Sequence, residues 1–291
     1  MKAIVTGAAG FAGQHLARHL RQCGDHVLEI SRADWDLRHD PPASAASAFT
    51  AFAPDALFHL AALSIPAQCG EGEPTADAVN VNVEGTRRVA ELASTISSRP
   101  RVVFVSTGRV YGDVGNEVEL VNESQPTAPA SSYAKTKLQA EAVLQSMGVD
   151  FIIARAFNHL GPGQLPPLML PQWCQQIAEG TDALRVHNSN VWVDATDVRD
   201  VVRAYRLLAL KGNSGEVYNV GSGTATRTGD IAKMLIDAAS PGLPIIAETE
   251  AEHRNAISDT VRLRNLTDWQ PEIPLRQTIA DAWHCWLTNH G

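Results

Sequence analysis

The sequence has few cysteines, no cationic run and no long apolar run, and each absence removes a class of function. Four cysteines, Cys23, Cys69, Cys174 and Cys285, lie far apart in 291 residues without paired spacing. Neither a disulfide framework nor a zinc site is expected, and the thiols read as reduced core residues of a cytosolic protein. The ten histidines are scattered and include no HExxH-like pair, so no metal is expected. No Lys/Arg cluster interrupts a chain of net charge −8. Nucleic acid is therefore not an expected partner, because phosphate backbones want a basic face. No apolar stretch approaches the ~20 residues needed to cross a bilayer, so no membrane association is expected. The chain opens directly on a strand pattern, so no leader is expected and the protein is placed in the cytoplasm.

What is present is an ordinary globular mixture, 44% apolar and 19% charged, with enough material for a sizeable core. Its length suits one large domain or a dinucleotide-binding core with an appendage. Compact β-rich runs at Lys2–Thr6, His26–Ile30, 56–60 and 101–106 alternate with helical periodicity at 13–22 and 83–94. A further helix is expected at 132–147 and a strand at 151–154. Nearly continuous apolar strands alternating with helices predict an α/β fold, a Rossmann-type doubly wound parallel sheet. After Gly161 the texture changes to a Pro/Gly-rich loop at 161–167, a helix near 171–179 and shorter elements. The expected division is a dinucleotide-binding domain over 1–157 and a smaller, discontinuous, mainly substrate-binding region over 158–291. A segment at about 190–222 is expected to return to the first. Residues 40–47, rich in Ala, Pro and Ser, read as a connecting loop or a capped helix start.

The first strand runs into Thr6-Gly7-Ala8-Ala9-Gly10-Phe11-Ala12-Gly13, which opens a helix. Glycines in that position make a tight turn, let backbone approach a pyrophosphate and let helix and strand pack closely. Gly7, Gly10, Phe11, Ala12 and Gly13 are accordingly cofactor-binding candidates, with the helix N-terminus facing the phosphates. The second strand ends Glu29-Ile30-Ser31-Arg32. Ser31 stands where an NAD site carries a ribose-binding carboxylate, and a hydroxyl beside the planar guanidinium of Arg32 suits a 2′-phosphate. NADP is expected. A register shift by two would put Glu29 at the acid position and make NAD the cofactor. Asp36 and Leu37 are expected near the adenine, and Leu60, Ala61 and Ala62, small or apolar at the end of a later strand, leave room for the cofactor.

Tyr133 and Lys137 are four residues apart on a predicted helix and share a face. A phenol of unperturbed pKa near 10 is a poor acid–base catalyst at neutral pH, and a neighbouring ammonium favours phenolate. Ser106-Thr107-Gly108-Arg109-Val110-Tyr111-Gly112 lies just past the carboxyl end of the fourth strand, the edge where open α/β sheets bind ligands. A hydroxyl there can bond the oxygen whose charge changes during hydride transfer.

The glycine turn, the Thr107 segment and the Tyr-x-x-x-Lys pair, in that order, resemble the extended short-chain dehydrogenase/reductase family, the NAD(P)-dependent nucleotide-sugar epimerases and dehydratases, over essentially the whole chain. The resemblance implies Tyr133 as proton donor or acceptor, Lys137 on the nicotinamide ribose lowering the phenol pKa, and Thr107 rather than Ser106 as the catalytic hydroxyl. It also implies Asn82 as a supporting polar residue near the cofactor, a nucleotide-sugar substrate, and a homodimer packed through helices such as 83–94 and 132–147. The 4,6-dehydratases of the family carry Thr-Asp-Glu where this chain has Thr107-Gly108-Arg109, so dehydration is not expected; removing water needs an extra acid and base. Arg155-Ala156-Phe157-Asn158-His159-Leu160-Gly161-Pro162-Gly163-Gln164, the segment from Thr196 to Tyr205, Gly215 to Gly223 and Trp269 to Leu275 are similar to the GDP-4-keto-6-deoxymannose reductases of the family. That similarity implies NADPH-dependent reduction of a C4 ketone. The alternatives are an NAD-dependent 4-epimerase and a non-catalytic NADP(H)-sensing regulator. Two departures concern the substrate. Val193-Asp194-Ala195 replaces an Arg-Asp-aromatic triplet, and the region 250–255 lacks Arg-Pro-x-Asp. Arg109, Asn158, Arg199 and Arg254 are the substrate-binding candidates, with Arg185 a further cation and His159 and Trp192 candidates for the pocket wall.

Overall fold

The computed structural model describes residues 1–114 and 119–290. Strand β1 (Lys2–Thr6) explains why the first half becomes a doubly covered sheet. Ala3 and Val5 enter one apolar cluster, Ile4 enters another, and all three are fully buried. A strand apolar on both faces needs helices above and below it. The same division recurs in β3 (Ala56–His59) and β4 (Arg101–Thr107), where Phe58 and Val103 face one side and Leu57, Val102 and Phe104 the other.

These strands join β2 (His26–Ile30), β5 (Phe151–Ala156) and β9 (Val217–Val220) in a six-stranded sheet of order β2-β1-β3-β4-β5-β9, parallel throughout. One face carries α1 (Phe11–Gln22) and α8 (Val198–Lys211), contributing Leu16, Leu20, Val201 and Leu208. The other carries α2 (Ala43–Phe52), α5 (Gly85–Thr95) and α6 (Ser132–Ser146), contributing Phe49, Val89, Ala140 and Leu144. Of residues 40–47, 43–47 open α2, whose N-cap residue Pro42 makes no side-chain cap hydrogen bond, so the stretch is a helix start without the expected cap. The expected helix at 83–94 is entered through a π-helical turn, Asn80–Glu84.

The rest of the chain builds a second apolar core. Strand β8 (Val191–Asp197) pairs with β6 (Asn158–Leu160), β10 (Ala225–Arg227) and β12 (His253–Arg254), while β7 (Leu184–Asn188) pairs with β11 (Ile245–Thr249). Helices α7 (Met169–Ala178), α9 (Thr228–Ala239) and α11 (Leu275–His290) close this core with Trp173, Leu235 and Trp283. Within the stretch at about 190–222, α8 and β9 pack with the large sheet whereas β8 belongs to the small one. The described helices include none long and apolar enough to cross a membrane.

The two cores are tied by Asp194, which is fully buried on β8. Its carboxylate accepts hydrogen bonds from Ser222 N and Oγ at 2.7 and 2.6 Å, Ser258 N and Oγ at 2.9 and 2.5 Å, and Gly223 N at 3.2 Å. Asp194 is the middle residue of Val193-Asp194-Ala195, which replaces the Arg-Asp-aromatic triplet, and its carboxylate is taken up by hydrogen bonds within the fold. An amide at this position would set two N–H groups against donors and leave buried groups unpaired. Asp194→Asn is expected to lower unfolding free energy by about 2–4 kcal/mol, read as a drop in the chemical denaturation midpoint at unchanged slope.

Candidate active site

The carboxyl ends of β1, β3, β4 and β5 open into a groove of about 580 Å³. Its floor begins at the glycine turn. Gly7 has φ +70°, and a Cβ there would stand 2.6 Å from Ala61 N; one on Gly13 would stand 2.1 Å from Gly7 O. The turn therefore presses backbone against backbone as only glycine permits. Helix α1 starts on Gly10 without a side-chain cap and without an acidic residue in its first turn. Its unpaired N–H groups and positive dipole end remain available to an anion. These residues fit a dinucleotide's phosphates.

At the end of β2, Ser31 N and Oγ both donate to Asp34, at 2.8 and 2.6 Å. Arg32 reaches Asp36 at 3.3 Å and is 71% exposed, while Arg38 grips the same carboxylate at 2.5 Å. Arg38 holds the Asp36 carboxyl well below the usual range. Two guanidiniums thus flank the end of β2 beside a carboxylate already engaged. Glu29 pairs in register with Val5, inside the strand, and bonds Arg21 of α1 at 2.5 Å. It does not line the groove, so the register that would have made NAD the cofactor is not the one that forms.

Leu60, Ala61 and Ala62 line the groove, as do Phe11, Ala12, Ser31, Arg32, Asp36 and Leu37. Asn82 does not. Its Oδ1 accepts from Leu63 N at 2.8 Å, and its Nδ2 donates to Leu63 O and Thr136 Oγ1, both at 3.0 Å. Asn82 therefore braces the groove wall against α6 instead of facing the groove itself, a correction to its expected place.

The chemistry-bearing residues come from β4 and α6. Thr107 is 7% exposed, and its Oγ1 accepts from Arg109 N at 3.2 Å. Ser106 instead donates to Glu141, whose carboxylate is also held by Arg155 at 2.7 Å. Ser106 is thereby fixed in structure, leaving Thr107 as the free hydroxyl. Tyr133 is half-buried and Lys137 buried on adjacent turns of α6, both lining the groove, with Lys137 Nζ 4.1 Å from the Phe104 ring centre. Burial pushes the Tyr133 phenol up to about 12 and the Lys137 ammonium down to about 7, against the pull of Glu141. The sequence led to the opposite expectation for the phenol, that the ammonium would favour phenolate. Desolvation dominates, with the Cys69 thiol adding to it and Arg109 opposing it.

Of the substrate candidates, Arg109 and Asn158 line the groove and Arg199 and Arg254 do not. Arg199 bonds Asp197 and Asp281, each at 2.7 Å, joining α8 to α11. Arg254 lies on β12 beside Trp192, with its Nε buried and unpartnered among the described residues. Arg185 pairs with Asp182 on the surface. Trp192 is off the groove, under the Arg227 guanidinium, whereas His159 lines it, stacked on Phe11 at 6.0 Å. Residues that sequence reasoning missed include Arg38, Ser64, Ile65 and Phe157. Only Arg38 carried a signal, a cation two residues past Asp36.

A family model described as the NAD dependent epimerase/dehydratase family matches residues 3–221. GDP-6-deoxy-D-mannose reductase of Pseudomonas aeruginosa is 30% identical over 97% of this chain and 96% of its own. UDP-glucose 4-epimerase of Mycolicibacterium smegmatis is 29% identical over 96% of each chain. The solved structure of RMD from Pseudomonas aeruginosa complexed with NADPH superposes with a TM-score of 0.85 at 28% identity, covering 99% of both chains. The chain belongs to the NAD dependent epimerase/dehydratase family.

Proposed function

We propose that the protein is an NADPH-dependent reductase of a nucleotide-linked 4-keto-6-deoxy sugar, of the GDP-4-keto-6-deoxymannose type. The observation that carries this reading is the kind of side chain at the Thr107 end of the groove. Among the described lining residues the carboxylates are Asp36 and Asp77. Asp36 is held by Arg38, and Asp77 lies near enough to Arg38 to act on its charge. Beside Thr107 and Tyr133 the groove offers a phenol, an ammonium and a hydroxyl. A Cβ at position 108 would fall 2.8 Å from the Phe157 ring, so an acid there would need that ring to move. Among the described residues that line this end of the groove, elimination of water finds no added carboxylate acid and base, whereas ketone reduction needs no acid beyond the phenol.

Sheet order supports the cofactor. Arg32 and Arg38 follow β2 and Thr107 ends β4, with β1 and β3 between them, a separation of three strand spacings, or roughly 14 Å. An extended dinucleotide crossing the glycine turn would span such a distance, with Arg32 and Arg38 placed to hold a 2′-phosphate and Tyr133 and Lys137 to meet the nicotinamide end. Bound there, NADPH supplies the hydride. Thr107 donates a hydrogen bond to the ketone oxygen. Tyr133, protonated throughout the neutral range, gives its proton to that oxygen as charge grows on it, and Lys137 orients the ribose. Asn158 lines the same groove and is the candidate to hold the sugar. The full-length similarity to a GDP-6-deoxy-D-mannose reductase supports the same direction.

The reading is tested with NADPH and GDP-4-keto-6-deoxymannose, following loss of nicotinamide absorbance. Stoichiometric oxidation is expected; interconversion of C4 epimers without oxidation would establish the epimerase instead. Tyr133→Phe is expected to lower kcat about 10²–10⁴-fold. The double variant Arg32→Ala/Arg38→Ala is expected to weaken NADPH about 10–100-fold relative to NADH, each lost phosphate contact being worth roughly 1.5–3 kcal/mol before compensation. Lys137 gives a pH signature in the cofactor-free protein. Unfolded, it keeps its proton up to 10.5; folded, only up to about 7. Between these values the unfolded chain binds the extra proton, so stability rises with pH, and the burial penalty is complete below about 7. Lys137→Met should therefore melt higher than wild type, most clearly in mild acid, with the gain shrinking as pH climbs towards 10.5.

A further inference from the structure

Among the described residues, Arg109 is the one arginine lining the groove that has no carboxylate partner. Arg32 and Arg38 share Asp36. Arg109 stands on the 3-10 turn Gly108–Tyr111, immediately after the catalytic hydroxyl. The turn cannot slide. Gly108, Val110 and Tyr111 are buried, the Phe157 ring closes on Gly108, and the Thr107 hydroxyl anchors the Arg109 N–H at 3.2 Å. Arg109 is the turn's one exposed residue, and it lines the same groove as Tyr133.

Few charged or titratable groups face the Tyr133 phenol. Cys69 approaches from α3 (Pro66–Cys69), Arg109 from the turn after β4, and Tyr205 from α8. On α6 itself, Lys137 lies one turn on and Glu141 another. On β5, Arg155 is engaged by Glu141. His59, at the end of β3, faces Lys137 and is held neutral by burial between Thr6 and Thr86. On α4 (Ala76–Val79), Asp77 lies near Arg38. Burial and the Cys69 thiol favour a neutral Tyr133. Lys137 is itself driven by burial towards its neutral amine near pH 7, whereas a guanidinium stays charged at every working pH. Arg109 is thus the permanent positive charge that acts on this phenol, and its field favours the ionised form.

We infer that Arg109 is a positioning residue for the proton transfer, its guanidinium stabilising the phenolate left on Tyr133 after the proton has gone to the sugar oxygen. In that step the ketone carbon gains a hydride and its carbonyl electron pair moves onto oxygen. The new O–H bond forms as the Tyr133 O–H bond breaks, and the negative charge stays on the phenolate until water returns a proton. The reacting oxygen's ligands are unchanged by this assignment. Arg109 acts through Tyr133, not on the sugar.

The inference rests on the reductase reading for its substrate but not for its measurement. Difluorotyrosine placed at position 133 titrates lower than tyrosine and reports its ionisation by fluorine NMR, with no substrate present. In the cofactor-free protein, Arg109→Met is expected to raise the titration midpoint of that phenol by about one unit, the tenfold shift in acidity that a nearby opposite charge supplies. Arg109→Lys should restore most of it. Where turnover is measured, Arg109→Met should lower kcat about tenfold, in keeping with one unit of phenol acidity, with KM nearly unchanged and Arg109→Lys rescuing. Equal midpoints for wild type and Arg109→Met would overturn the inference. So would a loss confined to KM, which would make Arg109 a substrate ligand only. Failure of the sugar to react with any variant would count against the reductase reading alone, because the fluorine titration decides the role of Arg109 independently.

Discussion

The close approach of the first glycine turn to the end of β3 is the constraint from which the site follows. Gly7, at positive φ, sits where a methyl group would strike Ala61, and Gly13 sits where one would strike the Gly7 carbonyl. Because those contacts are backbone to backbone, α1 leaves the sheet at a fixed pitch with its N-terminal N–H groups pointing along the groove. The floor is then made of Leu60, Ala61 and Ala62, and the next residue, Leu63, is clamped on both its backbone groups by Asn82. Asn82 also bonds Thr136, next to Lys137. A continuous series of short contacts thus runs from the glycine turn to α6.

Charge is distributed along this groove in two regimes. At the β2 end, arginines lie in or near solvent and share one strongly acidic carboxylate, an arrangement able to exchange Asp36 for a phosphate. Towards β4 the site is drier, and dehydration governs protonation. The phenol keeps its proton and the ammonium is inclined to lose its own. A protonated phenol is the form that the proposed ketone reduction uses, and a deprotonated one the form that alcohol oxidation would use.

The fold was largely legible in the chain because burial on both faces leaves nearly uninterrupted apolar runs in the inner strands, and Lys2–Thr6 matches β1 residue for residue, as His26–Ile30 matches the partly exposed edge strand β2. The glycine turn was legible for a similar reason, since steric exclusion admits a single residue type. Interactions across long sequence separations were not. Arg199 looked like a free cation until α11 brought Asp281 to it, 82 residues on. Asn82 reads from the sequence as a supporting polar residue near the cofactor, but no pattern reveals that Leu63 and Thr136 converge on its amide. Phe157 against Gly108 is a contact between two strand ends whose pairing the sequence does not number. The direction of the Tyr133 shift was misjudged because sequence spacing places a lysine near a phenol without saying how much water either retains.

The central claim is that hydride passes to the sugar and remains there. NADPH deuterated at its transferring position, given with the nucleotide-linked keto sugar, tests this most directly through the mass of the released sugar. A reductase places one deuterium on each product molecule, at the former ketone carbon, and liberates NADP⁺ in equal amount. Product that forms without deuterium, with the labelled cofactor undiminished, would contradict the account.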